Sequence, residues 1–312
     1  MDYSVWIEKA YVPPMLPTLR QLHYLKLLAE HRSFSRAAEA AHVTQPTLSA
    51  GVQELEKILG APVVDRGRAG VILTAAGEEA VARAEVILTQ AEDLVQAARG
   101  AGQPLAGRFR LGVIPTIAPF LLPKALPALR RRFPKLRLFL REDLTGRLIA
   151  ALKAGALDAA LIALPYDVTG LDWADVEEDE LLAAFPANHP LSAEARVSPE
   201  RLEDEDLILL EDGHCLREHA LAACGLAPAW PKDEAEFAAT SLPTLVQMVG
   251  SGLGVSFLPA MAVEAGLAEA AAVAVRPLAA DHPSRQIVVA WRAGSSRATE
   301  GRLLAGVLRG ED

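Results

Sequence analysis

Cysteine is nearly absent from this chain of 312 residues: there are two, Cys215 and Cys224. So few thiols exclude a small secreted scaffold stapled by disulfides. Long apolar runs are also missing, and no stretch approaches the ~20 residues that a membrane helix needs. No basic start followed by an apolar run opens the chain, so no signal peptide is expected. These absences predict a cytoplasmic protein without a membrane partner, where stable disulfides are rare and transient ones are redox-linked. Excess positive charge is lacking too: net charge is −9 and the pI about 5.4. That excludes a chain that binds nucleic acid along its whole surface. Residues 1–77 hold eight Lys/Arg against seven Asp/Glu, a balance of +1, which leaves −10 on the remainder. Any DNA contact must therefore come from a local patch near the N-terminus.

What is present is a globular composition, 51% hydrophobic and 23% charged, long enough for two or three domains. Residues 1–15 are a poorly patterned extension, and no function is assigned to them. From Leu19 to Leu59 the pattern predicts three helices. Leu22, Leu25 and Leu28 repeat at helical spacing. Ser33 can cap a short second helix from Ser35 to Ala41. Thr44 is an N-cap with Pro46 in the first turn of the third helix. Leu48, Val52, Leu55 and Leu59 form that helix's buried stripe, and Gln45, Thr47 and Ser49 its short polar face. This is a helix-turn-helix with a polar recognition end. Ala50 and Gly51 sit in that helix, and the glycine is expected to cost it about 1 kcal/mol relative to alanine. Short apolar runs at Ala61–Val64 and Val71–Thr74 flank Arg66 and Arg68, predicting a β-hairpin wing whose arginines reach phosphates or a minor groove. The expected DNA-contacting set is Ser35, Arg36, Thr44, Gln45, Pro46, Thr47, Ser49, Arg66 and Arg68, on a DNA-binding domain spanning 16–74.

Residues 75–100 read as one long helix. Val81, Ala84, Leu88, Ala91, Val95 and Ala98 alternate three and four apart, a heptad seam suited to dimerisation. A hinge is expected at 101–107. From 108 to 312 helices and strands alternate, which predicts an α/β domain with mostly parallel sheets and two subdomains flanking a cleft. The overall expectation is an α + α/β chain. Gly250-Ser-Gly-Leu-Gly is not read as a nucleotide loop, because it follows a helix and precedes a strand, the reverse of a dinucleotide fingerprint.

The two cysteines close the Glu-Asp-Gly-His-Cys-Leu-Arg-Glu-His-Ala-Leu-Ala-Ala-Cys segment, within residues 211–225. Two thiols this near, with none elsewhere, suggest a thiol pair. Along a helix they would stand about 13 Å apart in rise and on opposite faces, whereas a disulfide needs Cα atoms ~4.4–6.8 Å apart. If the segment is helical, a bond between them requires the helix to come apart.

Leu-Arg-Gln-Leu-His-Tyr-Leu, Ser-Phe-Ser-Arg-Ala-Ala-Glu-Ala, Val-Thr-Gln-Pro-Thr-Leu-Ser and Leu-Glu-Lys-Ile-Leu-Gly together resemble the LysR-type transcriptional regulators. Gly112-Val-Ile-Pro-Thr-Ile-Ala-Pro-Phe-Leu-Leu-Pro, the segment around Gly213-His-Cys-Leu-Arg and Ala239-Thr-Ser-Leu are similar to the hydrogen-peroxide-sensing OxyR group of that family. The resemblance implies a winged helix-turn-helix, a dimerising linker helix and a two-subdomain effector domain of periplasmic-binding-protein type. It implies a cytoplasmic activator of oxidative-stress genes that forms a homotetramer, a dimer of dimers, on double-stranded promoter DNA, with RNA polymerase as a further partner. It implies no cofactor and no bound metal, and regulation rather than enzymatic turnover. It further implies peroxide oxidation of Cys215, then a disulfide to Cys224, with Thr116, Thr145, His214, Arg217 and Arg285 lining the peroxide pocket.

The residues support this assignment of roles. Reaction with peroxide requires a thiolate, so the sensing thiol needs a lowered pKa. A helix starting at Asp212 or Gly213 puts Cys215 in its first turn, where the dipole favours an anion, with His214 and Arg217 adding positive charge. Cys224 has no basic neighbour in sequence. Cys215 then attacks and Cys224 resolves. Other readings stay open. A free cysteine is commonly a buried small hydrophobe. His214, Cys215, His219 and Cys224 could hold a metal, although they fall on different helical faces. A regulator of the same family could answer a small organic ligand in the cleft, and a thiol peroxidase could use the same two thiols.

Overall fold

A computed structural model of the chain describes residues 15–67, 70–100, 104–202, 205–223, 238–279 and 283–311. Arg68, the first part of the expected hinge and Cys224 lie outside them. The chain divides into two compact units, Met1–Glu92 and Asp93–Asp312.

In the first unit, helix α1 spans Leu19–His31 behind a capping box in which Thr18 and Gln21 satisfy each other's backbone N–H. Helix α2 covers Phe34–Ala40, capped by Ser33, and α3 covers Gln45–Leu59, capped by Thr44. Leu25, Leu28, Ala37, Leu48, Val52 and Leu55 close the core between them. Gly51 has a specific reason to be glycine: a Cβ there would stand 2.7 Å from the buried Tyr24 ring. The residue that weakens α3 by propensity is what lets α1 and α3 approach. The wing consists of β1, Val64–Gly67, and β2, Gly70–Leu73, paired antiparallel with Gly67 opposite Gly70. Its first strand starts at Val64, where the sequence pattern had put the strand's end, so Arg66 lies in the strand and not in the turn.

Helix α4 spans Ala75–Gly100. Ala80, Val81, Ala84 and Leu88 pack against the first unit's own core. The first half of the expected seam is therefore used internally. Of its second half Val95 is exposed, as are Ile87 and Leu94 beside it.

The second unit is α/β, but its sheets are not mostly parallel. Strand β3, Gly107–Val113, pairs parallel with β4, Leu136–Glu142, and with β5, Ala159–Leu164. The remaining ladders are antiparallel. They join β5 to β9, Ser284–Arg292, and join β9 to β6, a strand of 16 residues from Leu171 to Pro186. Strand β6 is the common member of two sheets. Its first part pairs with β9, and its last part with β7, Ser256–Pro259, and β8, Val273–Pro277. Only its end, Leu181–Phe185, was legible as a strand. The acidic stretch before it lacks the apolar run that marks a buried strand.

Two hydrophobic clusters fill this unit. The larger lies between the first sheet and helices α5 (Ala118–Arg132), α6 (Thr145–Lys153) and α10 (Ala298–Leu308). The smaller gathers Phe185, Leu191, Leu209, Leu221 and Phe257 around the second sheet. Helix α7, Cys215–Ala223, contributes to both, through Leu216 to the first and Leu221 to the second. Helix α8, Leu242–Gly250, is capped by Ser241, and the short α9 spans Ala260–Glu264.

Candidate functional site

Parallel strands place loops at their carboxyl ends, and ligands of α/β sheets bind there. Thr116 follows β3 and Thr145, the first residue of α6, follows β4. Cys215 is the first residue of α7, two or three positions later than the expected start of that helix. These three, with Ile114, Pro115, Leu144, Gly213 and His214, line a recess of about 150 Å³ counting its open mouth. Gly213 holds φ at +94°, and a Cβ there would stand 3.0 Å from the Leu144 side chain. Glycine is needed to turn the chain into α7 against that wall.

Cys215 is buried, at 3% exposure. Burial pushes its thiol above the ordinary value, against the lowering effects of the Arg285 guanidinium, the Thr145 hydroxyl and its own backbone N–H. The expectation of a lowered pKa does not hold in this state of the site: desolvation outweighs the nearby cation and the hydrogen bonds. Burial also holds His214 and His219 below the usual histidine value, so both are neutral near pH 7 and neither supplies the positive charge expected of His214. Nor is Arg217 among the residues lining the recess. It meets Asp212 at 3.1 Å and donates to the Leu210 carbonyl at 3.3 Å.

The cation of the site is Arg285. Fully buried on β9, it donates through Nη1 to Thr116 Oγ1 at 2.8 Å and through Nη2 to the Thr116 carbonyl at 3.0 Å. Its Nε meets Asp179 Oδ2 at 2.9 Å. The Thr145 hydroxyl lies close enough to the sulfur to favour a thiolate. Yet its fully buried oxygen makes no hydrogen bond of normal geometry among the described residues. An orphaned polar atom beside a small recess is what a missing polar ligand leaves behind. Thr116, Thr145, His214 and Cys215 are thus brought together, with Arg285 bonded behind Thr116, and Cys224 is outside the described residues. Sequence reasoning missed Asp179, because it reads as one more acid in Glu-Glu-Asp-Glu.

The candidate DNA-contacting side chains gather at the start of α3. Thr44, Gln45, Pro46 and Thr47 are exposed, Ser49 is half-buried, and the Thr44 and Thr47 hydroxyls meet at 2.8 Å. Ser35 and Arg36 are exposed on α2, with Arg36 donating to the His31 carbonyl at 2.8 Å. Among the described residues no three His, Cys, Asp or Glu side chains cluster as metal ligands, and no helix is long and apolar enough to cross a membrane.

Comparison with known proteins follows this division. The bacterial regulatory helix-turn-helix model of the lysR family matches residues 19–78, and the LysR substrate binding domain model matches 102–311. The HTH-type transcriptional regulator EstR of Acinetobacter baylyi is 44% identical over 248 residues, 80% of this chain and 81% of EstR. The hydrogen peroxide-inducible genes activator of Pectobacterium carotovorum is 38% identical over 291 residues, 93% of this chain and 95% of the relative. A full-length OxyR variant from Pseudomonas aeruginosa superposes with a TM-score of 0.74 at 37% identity, covering 94% of this chain and 98% of that one. With a family model over each part and such relatives along nearly its whole length, the chain belongs to the LysR family of bacterial transcription regulators.

Proposed function

We propose that this regulator senses hydrogen peroxide through Cys215. The observation that carries the reading is the recess itself: a buried thiol at a helix N-terminus, two threonine hydroxyls, one of them without a hydrogen bond of normal geometry among the described residues, and a buried arginine behind them. The similarity to proteins named as peroxide-inducible activators points the same way.

In the proposed chemistry the Cys215 thiolate attacks one peroxide oxygen. The O–O bond breaks, a sulfenic acid forms and hydroxide leaves. The sulfur is oxidised and peroxide reduced. Arg285 and the Thr116 and Thr145 hydroxyls stabilise the sulfur anion and the departing hydroxide. The Cys224 thiol then displaces the sulfenic oxygen as water, giving the Cys215–Cys224 disulfide. Helix α7 rises about 12 Å from Cys215 to Ala223, so this second step requires α7 to open. The remodelled segment would re-space the DNA-binding heads at 16–74 through the linker helix at 75–100, across the 101–107 hinge from the 108–312 sensor. Promoter contacts run through Gln45, Pro46, Thr47, Ser49 and the wing arginines. The working form is a homotetramer in the cytoplasm that recruits RNA polymerase.

The test is treatment of purified protein with sub-stoichiometric peroxide, thiol mapping by mass spectrometry, and footprinting of reduced and oxidised protein on its own upstream DNA. Wild type is expected to form the disulfide and shift its footprint, Cys224→Ser to stop at a sulfenic acid, and Cys215→Ser to do neither. Two persistent free thiols, or an unchanged footprint, would overturn the reading. A Cys215→Ser protein with full induction would point to an organic ligand. Sustained peroxide turnover without specific DNA binding would point to a peroxidase.

A further inference from the structure

Within the acidic run Glu177-Glu178-Asp179-Glu180, the side chains at 177 and 178 are exposed while Asp179 is buried. It stands directly opposite Arg285 in the antiparallel ladder between β6 and β9. Its two oxygens are both engaged. Oδ2 accepts from Arg285 Nε at 2.9 Å and lies 2.9 Å from Nη2, and Oδ1 accepts from the Met261 backbone N–H at 3.0 Å. The carboxylate is held at both corners, and it engages the guanidinium at Nε and Nη2. The same guanidinium grips Thr116 at its hydroxyl through Nη1 and at its carbonyl through Nη2. Because Thr116 Oγ1 accepts from Nη1, its own hydrogen is left for an acceptor in the recess.

We propose that Asp179 is a positioning residue for the peroxide step, acting through Arg285 to hold the Thr116 hydroxyl at the recess beside Cys215. The inference rests on the peroxide reading above. Its physical basis is that a planar guanidinium paired through two nitrogens to a fixed carboxylate is itself fixed in direction, so its remaining N–H groups are aimed. A reaction between small groups is also sensitive to misplacement: a shift of about 1 Å can cost roughly 10²-fold in rate.

The experiment uses the full chain carrying Cys224→Ser, so that oxidation stops at the sulfenic acid, which dimedone traps for mass spectrometry. The rate with hydrogen peroxide is measured beside the rate with iodoacetamide, a neutral alkylating agent that needs the thiol but not the aligned donors. Asp179→Asn is expected to slow the peroxide reaction about tenfold or more and to change alkylation by less than about threefold. Asp179→Glu keeps the charge but displaces the carboxylate, and is expected to slow peroxide selectively as well. It stands in if the asparagine variant does not fold. Asp179→Asn combined with Thr116→Val is expected to be no slower than the slower single variant, since both act on one hydroxyl. A peroxide rate within about twofold of the parent overturns the proposal. So does faster alkylation in step with slower oxidation, the mark of a recess merely loosened, and so do additive effects in the double variant. If the parent itself resists peroxide, the sensing reading falls and this inference with it, which is a distinct result from a reactive parent and an indifferent Asp179 variant.

Discussion

Thr145 shows how one residue can trade stability for chemistry. Its buried hydroxyl has no partner of normal geometry among the described residues, and an unsatisfied buried group costs about 1–3 kcal/mol. Thr145→Val keeps the shape and removes the orphan. The variant is expected to be more stable by about 1 kcal/mol in urea denaturation while its Cys215 reacts more slowly with peroxide. A less stable variant would show that the hydroxyl is satisfied in the resting protein. Histidine titration gives a second residue-scale expectation. His219 is held by burial below the ordinary value of 6.5, and its Nε2 meets the Pro165 carbonyl at 2.9 Å. The unfolded chain therefore takes up a proton that the folded chain refuses. Its stabilising contribution is full above pH 6.5 and is lost as pH falls from there through the lowered folded value. His219→Gln is expected to flatten part of that acid limb below pH 6.5 in pH-dependent denaturation, and His214, lowered in the same direction, contributes in the same sense. Gly51 shows what a sequence alone could not say. Propensity makes it a weak point of α3, and alanine there should add about 1 kcal/mol. The Tyr24 ring, 2.7 Å from where a Cβ would stand, reverses the sign, because overpacking a filled core costs about 1–3 kcal/mol. Gly51→Ala is expected to lower the melting temperature. Asp179 was illegible for a related reason: burial, and not residue type, separates it from its acidic neighbours.

At the scale of elements, local signals were readable and pairings were not. Caps at Thr18, Ser33, Thr44 and Ser241 mark helix starts through side-chain hydrogen bonds that the sequence itself displays. The antiparallel course of β6 and β9 depends on partners more than a hundred residues apart, and no short-range pattern encodes it. Helix α7 is the element on which the proposed switch turns. It is docked by Leu216 in one core cluster and Leu221 in the other. Disulfide formation must undo that docking. Leu221→Ala should cost about 2–5 kcal/mol of stability as a buried truncation, while easing local opening. Sulfenic acid at Cys215 should then form at nearly the parental rate and convert to disulfide faster. Slower conversion would mean that opening of α7 does not limit the step and that the partner thiol depends on Leu221 for its place.

At the scale of the whole molecule, the division into two units separates what each can lose. The exposed apolar side chains of α4 overlap the simple heptad reading only in its second half, at Val95. With Ala80, Val81, Ala84 and Leu88 committed to the first unit's core, the free stripe runs through Ile87, Ala91, Leu94 and Val95. Ile87, Ala91 and Leu94 keep the four-then-three spacing of a seam and share Ala91 with the pattern drawn from sequence. Leu94 is 71% exposed, an unusual position for leucine unless a second copy covers it. Leu94→Glu puts a charge at the centre of that stripe and is expected to lower the oligomeric state in light scattering. DNA affinity should fall with it by about tenfold or more, because a lone head meets one half-site where a dimer meets two. The Cys215 recess is built entirely within Asp93–Asp312, so the rate of peroxide oxidation should stay at the parental value. An unchanged mass would place the dimer seam elsewhere, and a parallel loss of oxidation would show that sensing, too, depends on assembly.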